Sequence, residues 1–178
     1  MSTVSALVTD SCSAGVEPLF REVFRQHAVG VAVITAGADK PVGFTATSLV
    51  SVSADPPLLS FNISRTASSW PTLSRSEYVA VHLLAEHQGD LARVFATSGI
   101  DRFAAVPGWR HGPYQVPLLP NVLAHLVARV HTRIEAGDHV VVIAAVVDGA
   151  VPAGAGIDGP HPEAAPLVAH QGIWKGLR

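Results

Sequence analysis

The stretch Gly43–Leu73, GFTATSLVSVSADPPLLSFNISRTASSWPTL, limits the folds open to this chain more than any other segment. From Pro57 to Ile63 it alternates. Leu59, Phe61 and Ile63 fall on one side, Leu58, Ser60 and Asn62 on the other, which predicts a half-buried strand. Ala54-Asp55-Pro56-Pro57 makes a hard break before that strand. Ahead of the break, Phe44–Val52 carries Thr45, Thr47, Ser48 and Ser51, more hydroxyls than a core strand needs. Beyond it, Ser68 and Ser69 precede a predicted helix start with Pro71 in the first turn. Two hydroxyl-rich turns joined by one strand can converge on a single anionic, planar ligand.

The rest of the chain supplies more strands than helices. Glu17–His27 reads as a helix with Pro18 in its first turn and Leu19, Phe20, Val23, Phe24 and His27 sharing a face. His27 is read as a packed or rim residue. Val29–Thr35 and Pro41–Ala46 form a hairpin, and Tyr78–Leu84 is a further strand. Glu86–Ala96 is a helix with Leu91, Val94 and Phe95 at helical spacing, ended by Ser98 and Gly99. Trp109–Pro120, rich in Gly, Pro and aromatics, is an ordered loop. In the next strand Leu126, Ala128, Val130 and Ile134 face inward, and His125, Arg129, His131 and Arg133 outward. A turn at Ala136 and Gly137 leads through Asp138 and His139 into VVVIAAVV, expected to be a strand buried on both faces. Pro166–Trp174 is a last short strand. Mostly hairpin-type connections argue against a doubly wound parallel sheet and for a closed antiparallel barrel with helices at its ends.

A chain of 178 residues suits one domain, here residues 17–178, behind a small, polar tail at 1–16 expected to be mobile. Hydrophobic residues make up 48% and charged residues 15%, so some apolar surface is expected to be covered by a partner subunit. No apolar run reaches the roughly 20 residues of a membrane span. The net charge of −2, without a basic stripe, argues against nucleic acid. The lone Cys12 excludes a disulfide framework, and without a secretory leader a cytoplasmic protein is expected.

Several motifs lead nowhere. Gly154, Gly156 and Gly159 match the spacing G-x-G-x-x-G, but Pro160 and Pro162 prevent the helix that a dinucleotide fingerprint requires. His82 and His87 span a strand–helix junction, and His125 and His131 lie roughly 20 Å apart on an extended strand, so no metal is expected. Ser48 and Ser51 have no base directed at them, and no nucleophile elbow is present. The hydroxyl clusters do have a coherent use. A flavin mononucleotide needs donors for its phosphate, which Ser68, Ser69 and the following helix start offer. Its ring needs backbone N–H groups along the pyrimidine edge, which Thr45–Ser48 can provide. The plain alternative is that these are only turn and cap residues.

The blocks GFTATSLVSVSADPPLL, SRTASSWPTL, LARVFA, DRF and AGDHVVVIAAV, in this order, resemble the flavin reductase family of two-component monooxygenases from about Phe20 to Trp174. The resemblance implies a mainly β fold, a split antiparallel β-barrel with a few short flanking helices, that binds FMN, with FAD as the alternative. It implies NADH or NADPH as electron donor, a homodimer, and a separate oxygenase that receives reduced flavin. Thr45, Ala46, Thr47 and Ser48 would line the ring, while Asn62, Ile63 and Ser64 border the ring and ribityl chain. Ser68 and Ser69 would bind the phosphate. Phe95, Arg102 and Phe103 would close the pocket, from this subunit or its neighbour. His139, in the Gly-Asp-His block, would sit by the nicotinamide as the catalytic residue, with His170 and Trp174 on the same side. The family's Tyr-His-Arg-Gly-x-Tyr-like segment is here Ala169-His170-Gln171-Gly172-Ile173-Trp174, which leaves the nicotinamide side open.

The expected activity is therefore reduction of a flavin by NAD(P)H. Two alternatives stand beside it. One is a non-catalytic flavin carrier, suggested by Ala169 and Gln171. The other is a flavoenzyme acting directly on an organic substrate shaped by the Trp109–Pro120 loop.

Overall fold

The computed structural model describes residues 15–151 and 165–177; Cys12, nearly all of the N-terminal tail and the Gly154–Gly159 spacing lie outside them. Helix α1 (Val16–Arg25) is followed by strands β1 (Val29–Gly30), β2 (Ala32–Ala36), β3 (Val42–Ala46), β4 (Val50–Ala54) and β5 (Pro57–Ser64). The one-turn helix α2 (Trp70–Leu73), β6 (Tyr78–Leu83) and α3 (Gly89–Ala96) come next. The short pair β7 (Arg110–His111) and β8 (Pro117–Leu118) precedes the long hairpin β9 (Ala124–Ala136) and β10 (His139–Ala150). Strands β11 (Leu167–His170) and β12 (Ile173–Gly176) complete the order.

Seven strands form one antiparallel sheet in the order β3-β2-β6-β9-β10-β5-β4. Its inner face explains its shape. Ile34 of β2, Ala46 of β3, Leu59, Phe61 and Ile63 of β5, Val81 of β6 and Val142 of β10 are buried in a single cluster. Phe44 and Phe61, on β3 and β5, bring their ring centroids to 6.1 Å. Strands from opposite ends of the order meet in one core, so the sheet is strongly coiled. Strands β1, β11 and β12 form a second, three-stranded sheet. Val31, between β1 and β2, joins the two: its N–H donates to Leu167 O and its carbonyl accepts from Leu84 N.

Two expectations require correction. The alternation of β9 holds for Leu126, Ala128 and Val130, but Ile134 is 44% exposed. Opposite β10, Thr132 and Val130 are consecutive partners of Ile143 and Ala144, leaving His131 as an extra, bulged residue. The bulge reverses the alternation beyond it. Arg133, expected outside, therefore turns back to donate to Leu73 O and Ser76 O at 3.1 and 2.6 Å. Secondly, β10 is buried on one face only. Val140, Val142 and Ala144 are buried, whereas Val141, Ile143 and Ala145 are half-buried, as suits an antiparallel sheet with one face on the core. Helix α1 forms as expected and carries the expected apolar stripe, with none of its residues buried.

His82 of β6 holds two layers together. It is fully buried, with Nδ1 3.1 Å from Val33 O and Nε2 accepting the Leu119 N–H at 3.1 Å. An amide can only donate, so Nε2 must be the bare nitrogen and Nδ1 must carry the proton. Burial, with the neighbouring His125 adding to it, lowers the His82 pKa to about 4. The neutral ring is thus the folded form. The unfolded chain binds the proton at about 6.5 and the folded chain only near 4, so stability is complete above the first value and declines as pH falls toward the second. The full loss from this group is roughly 3 kcal/mol. Unfolding free energies measured by denaturant between these pH values should show that limb in the parent and a clearly flatter one in His82→Gln. An equally steep limb in the variant would contradict the assignment.

Candidate functional site

A cleft of about 770 Å³ opens beside the end of β3. That volume falls within the range of small-molecule and cofactor sites. Thr45, Ala46, Thr47 and Ser48 form one wall of it. Asn62, Ile63 and Ser64, from the end of β5, form the next. Ser68 and Ser69, Phe95 of α3, Arg102, and His139 at the start of β10 close it. The structure thus brings together residues nearly 100 positions apart, because β5 and β10 pair with His139 opposite Ser64.

The hydroxyls divide into two groups. Some are spent on the fold. Thr45 Oγ1 donates to Ala92 O of α3 at 2.6 Å, so Thr45 turns its side chain toward the helix. Ser48 Oγ accepts the Asn62 N–H at 2.8 Å and tethers the β3–β4 connection to β5. Ser64 Oγ lies 2.9 Å from Thr66 Oγ1 within its own turn. Others remain available. Ser68 Oγ accepts from Arg102 Nη2 at 3.2 Å and keeps its own proton to donate. Ser69 is 1% exposed, and its Oγ has no hydrogen-bond partner among the described residues. It stands at the N-cap of α2 without making a side-chain cap. Since α2 spans only four residues, the expected helix start contributes little field, and the side chains carry the polarity.

Arg102 is the keystone of the cleft. Its Nε donates to Thr97 O at 2.9 Å, just past α3. Its Nη1 donates to Gly43 O at 3.0 Å on β3, and Nη2 reaches Ser68. One guanidinium therefore fixes three segments, and its partial burial lowers its pKa. Behind it Phe95, Phe103 and Trp109 stack edge to face, with centroids 5.4 and 5.1 Å apart. Gly43 permits this packing: a Cβ there would lie 2.6 Å from the Phe95 ring. Phe103 lines an adjoining cavity of about 690 Å³, which shares Ser68 and Arg102 with the cleft.

At the opposite wall, Asp138 Oδ1 lies 2.7 Å from His139 Nδ1. This hydrogen bond holds the Asp138 carboxyl below its usual range, so the pair is a carboxylate accepting the Nδ1 proton. The bond favours one orientation of the half-exposed His139 ring. His170 lines a neighbouring cavity that shares Thr47 with the cleft, and Trp174 packs against the cluster under α3. The sequence reading missed Glu17, Phe20 and Arg21 of α1, which also line the cleft. The available signal was the apolar stripe of α1, which lies open to solvent with Phe20 57% exposed.

A family model described as a flavin reductase like domain matches residues 24–177. The NADH:FMN oxidoreductase of Rhodococcus qingshengii is 40% identical over 156 residues, 87% of this chain and 79% of the relative. The reductase subunit HsaB of a flavin-dependent monooxygenase from Mycobacterium tuberculosis H37Rv is 32% identical over 167 residues, 93% of this chain and 85% of the relative. Among solved structures, a flavin reductase domain protein from Arthrobacter sp. FB24 superimposes with a TM-score of 0.80 at 39% identity, covering 91% of this chain and 96% of that one.

The geometry makes Arg102 a structural pin as well as a wall. Arg102→Lys keeps the charge but cannot reach three acceptors from one plane. It should lower the unfolding free energy by about 1–2 kcal/mol and speed amide exchange in residues 97–104. Stability and exchange equal to the parent's would show that the three bonds are not formed together.

Proposed function

The chain belongs to the flavin reductase like family, and we propose that it acts as an NAD(P)H-dependent flavin reductase that hands reduced flavin to a separate oxygenase. The observation that carries this reading is the cleft itself, where Ser69 Oγ is buried and unpartnered next to Ser68 and Arg102. A buried hydroxyl left without a partner costs about 1–3 kcal/mol. An anionic phosphate supplies the missing acceptor, so the residues fit FMN, and FAD by the same phosphate. The bound flavin supplies the chemistry, accepting a hydride from the reduced nicotinamide.

The chain's own residues bind, orient and shield. Ser68, Ser69 and Arg102 hold the phosphate. The backbone of Thr45, Ala46, Thr47 and Ser48 borders the ring, Thr45 through its main chain alone since its hydroxyl is taken by Ala92. Asn62, Ile63 and Ser64 flank the ribityl chain. Phe95 and Phe103 give the apolar backing that excludes water. Asp138 keeps the proton on Nδ1 of His139, leaving Nε2 to face the donor. His170 and Trp174 belong to the donor's side. We read residues 17–178 as one split-barrel domain working in the cytoplasm; among the described residues no helix is long and apolar enough to cross a membrane.

A homodimer completes this reading. By strand register, Asn62, Val141 and Ile134 lie in one outward row, and Val50, Ser60 and Ile143 in the next. Val50 is 55% exposed. A patch of β-branched residues on the outer face of a sheet is a self-complementary surface for a two-fold partner.

Four measurements follow from this reading. Oxidation of NADH or NADPH should depend on added FMN or FAD; no flavin-dependent oxidation would remove the activity. Ser69→Ala should weaken FMN binding about tenfold, as expected for a lost hydrogen bond to a charged group. His139→Ala should slow flavin reduction far more than it weakens FMN binding; equal turnover would remove its role. Sedimentation equilibrium should give a dimer for the parent and a monomer for Ile143→Glu, and a monomeric parent would overturn the partner surface.

A further inference from the structure

The cavity lined by His170, about 440 Å³, lies between the C-terminal half of α1 and the β11–β12 turn. It continues the cleft, for Phe20, Arg21 and Thr47 line both. Its construction is specific. The turn residue Gln171, at a φ of 52°, donates its backbone N–H to Arg25 O at 3.0 Å. The Gln171 side chain donates to Gln26 Oε1, also at 3.0 Å. The end of α1 is thereby pinned to the turn by both backbone and side chain.

The lining is chemically one-sided. Arg21, Arg25, His27 and His170 face the cavity, and no carboxylate is among its lining residues. Arg21 is engaged by Glu17 at 2.7 Å across one helical turn, an exposed pair that contributes little. Arg25 has no ion pair among the described residues. Phe20 and Phe24 lie with ring centroids 4.5 Å apart, both more than half exposed. Cations beside an open aromatic pair suit a ligand that is anionic at one point and a flat heterocycle at another.

A nicotinamide dinucleotide has a reacting end and a remote end, and the remote end is adenosine joined through a pyrophosphate. We propose that this cavity takes the adenosine diphosphate end of the donor, with Arg25 and Arg21 on the pyrophosphate and the Phe20–Phe24 pair against the purine. This rests on the reductase reading, which puts the reacting end at the His139 wall of the adjoining cleft. Remote contacts of this kind hold the donor in register for hydride transfer. They also give α1 a role that its unburied stripe does not otherwise explain. Gln171, where the resembling family carries arginine, acts here as the anchor of the helix that brings Arg25.

The test compares NADH with reduced nicotinamide mononucleotide, which has the reacting end but lacks the adenylate. Full-length, FMN-loaded protein is used, and binding of ADP alone is measured by calorimetry. In the parent, kcat/KM should strongly favour NADH. Arg25→Ala should lower the NADH-to-mononucleotide ratio of kcat/KM about tenfold, mainly through the KM for NADH, and weaken ADP binding by a similar factor. Arg25→Lys should restore part of both. An unchanged ratio, or ADP bound equally by parent and Arg25→Ala, would overturn the proposal. Failure of both donors to reduce the flavin in the parent would instead overturn the reductase reading, and ADP calorimetry would still decide for or against the cavity.

Discussion

One apolar core shared by both ends of a single seven-stranded sheet governs this structure. Phe61 of β5 and Ile34 of β2 lie far apart in the strand order, and burying both in one cluster forces the sheet to coil. A coiled sheet whose order ends at β3 and β4 brings those edges near each other without continuing the ladder between them. Backbone groups at such a seam need other partners. Ser48 supplies one to Asn62, and Arg102 supplies one to Gly43. The cleft is the space this arrangement leaves, so the same side chains that satisfy the seam also define the site.

The polarity of the cleft is therefore fixed before any ligand arrives. Arg102 is held by three acceptors that belong to the fold, and Asp138 orients His139 through one short hydrogen bond. Prepositioned charge of this kind needs no reorganisation when a flavin and its donor meet, which is the protein's share of a reaction whose chemistry lies in the cofactors. Gly43 serves the same end: by lacking a Cβ it lets Phe95 lie against β3 and back the cleft with an apolar ring.

Much of this was legible in the sequence, and the failures have physical causes. The alternation of Pro57–Ile63 gave β5 with its buried face correct, since period two is unambiguous where one side meets a core. The residues of both hydroxyl clusters line one cleft, but nothing in their spacing tells which hydroxyls the fold consumes. Thr45 bonds to Ala92 and Ser48 to Asn62, contacts between residues distant in sequence that no spacing reveals. Ile134 and Arg133 were assigned to the wrong faces because a bulge at His131 leaves no mark in a hydrophobicity pattern. The role of His82 was not legible, since burial between Val33 and Leu119 is a tertiary fact. The stripe of α1 was visible, but an amphipathic pattern does not say whether its partner is the core, a second subunit or a ligand.

The central claim is that the cleft holds a flavin in reach of a reduced nicotinamide. Anaerobic stopped-flow absorbance of the FMN-loaded protein, mixed with NADH and separately with NADPH, tests it most directly. The account predicts rapid loss of the oxidised flavin band near about 450 nm with at least one donor. FMN that binds in the cleft yet keeps its absorbance with both donors would contradict it.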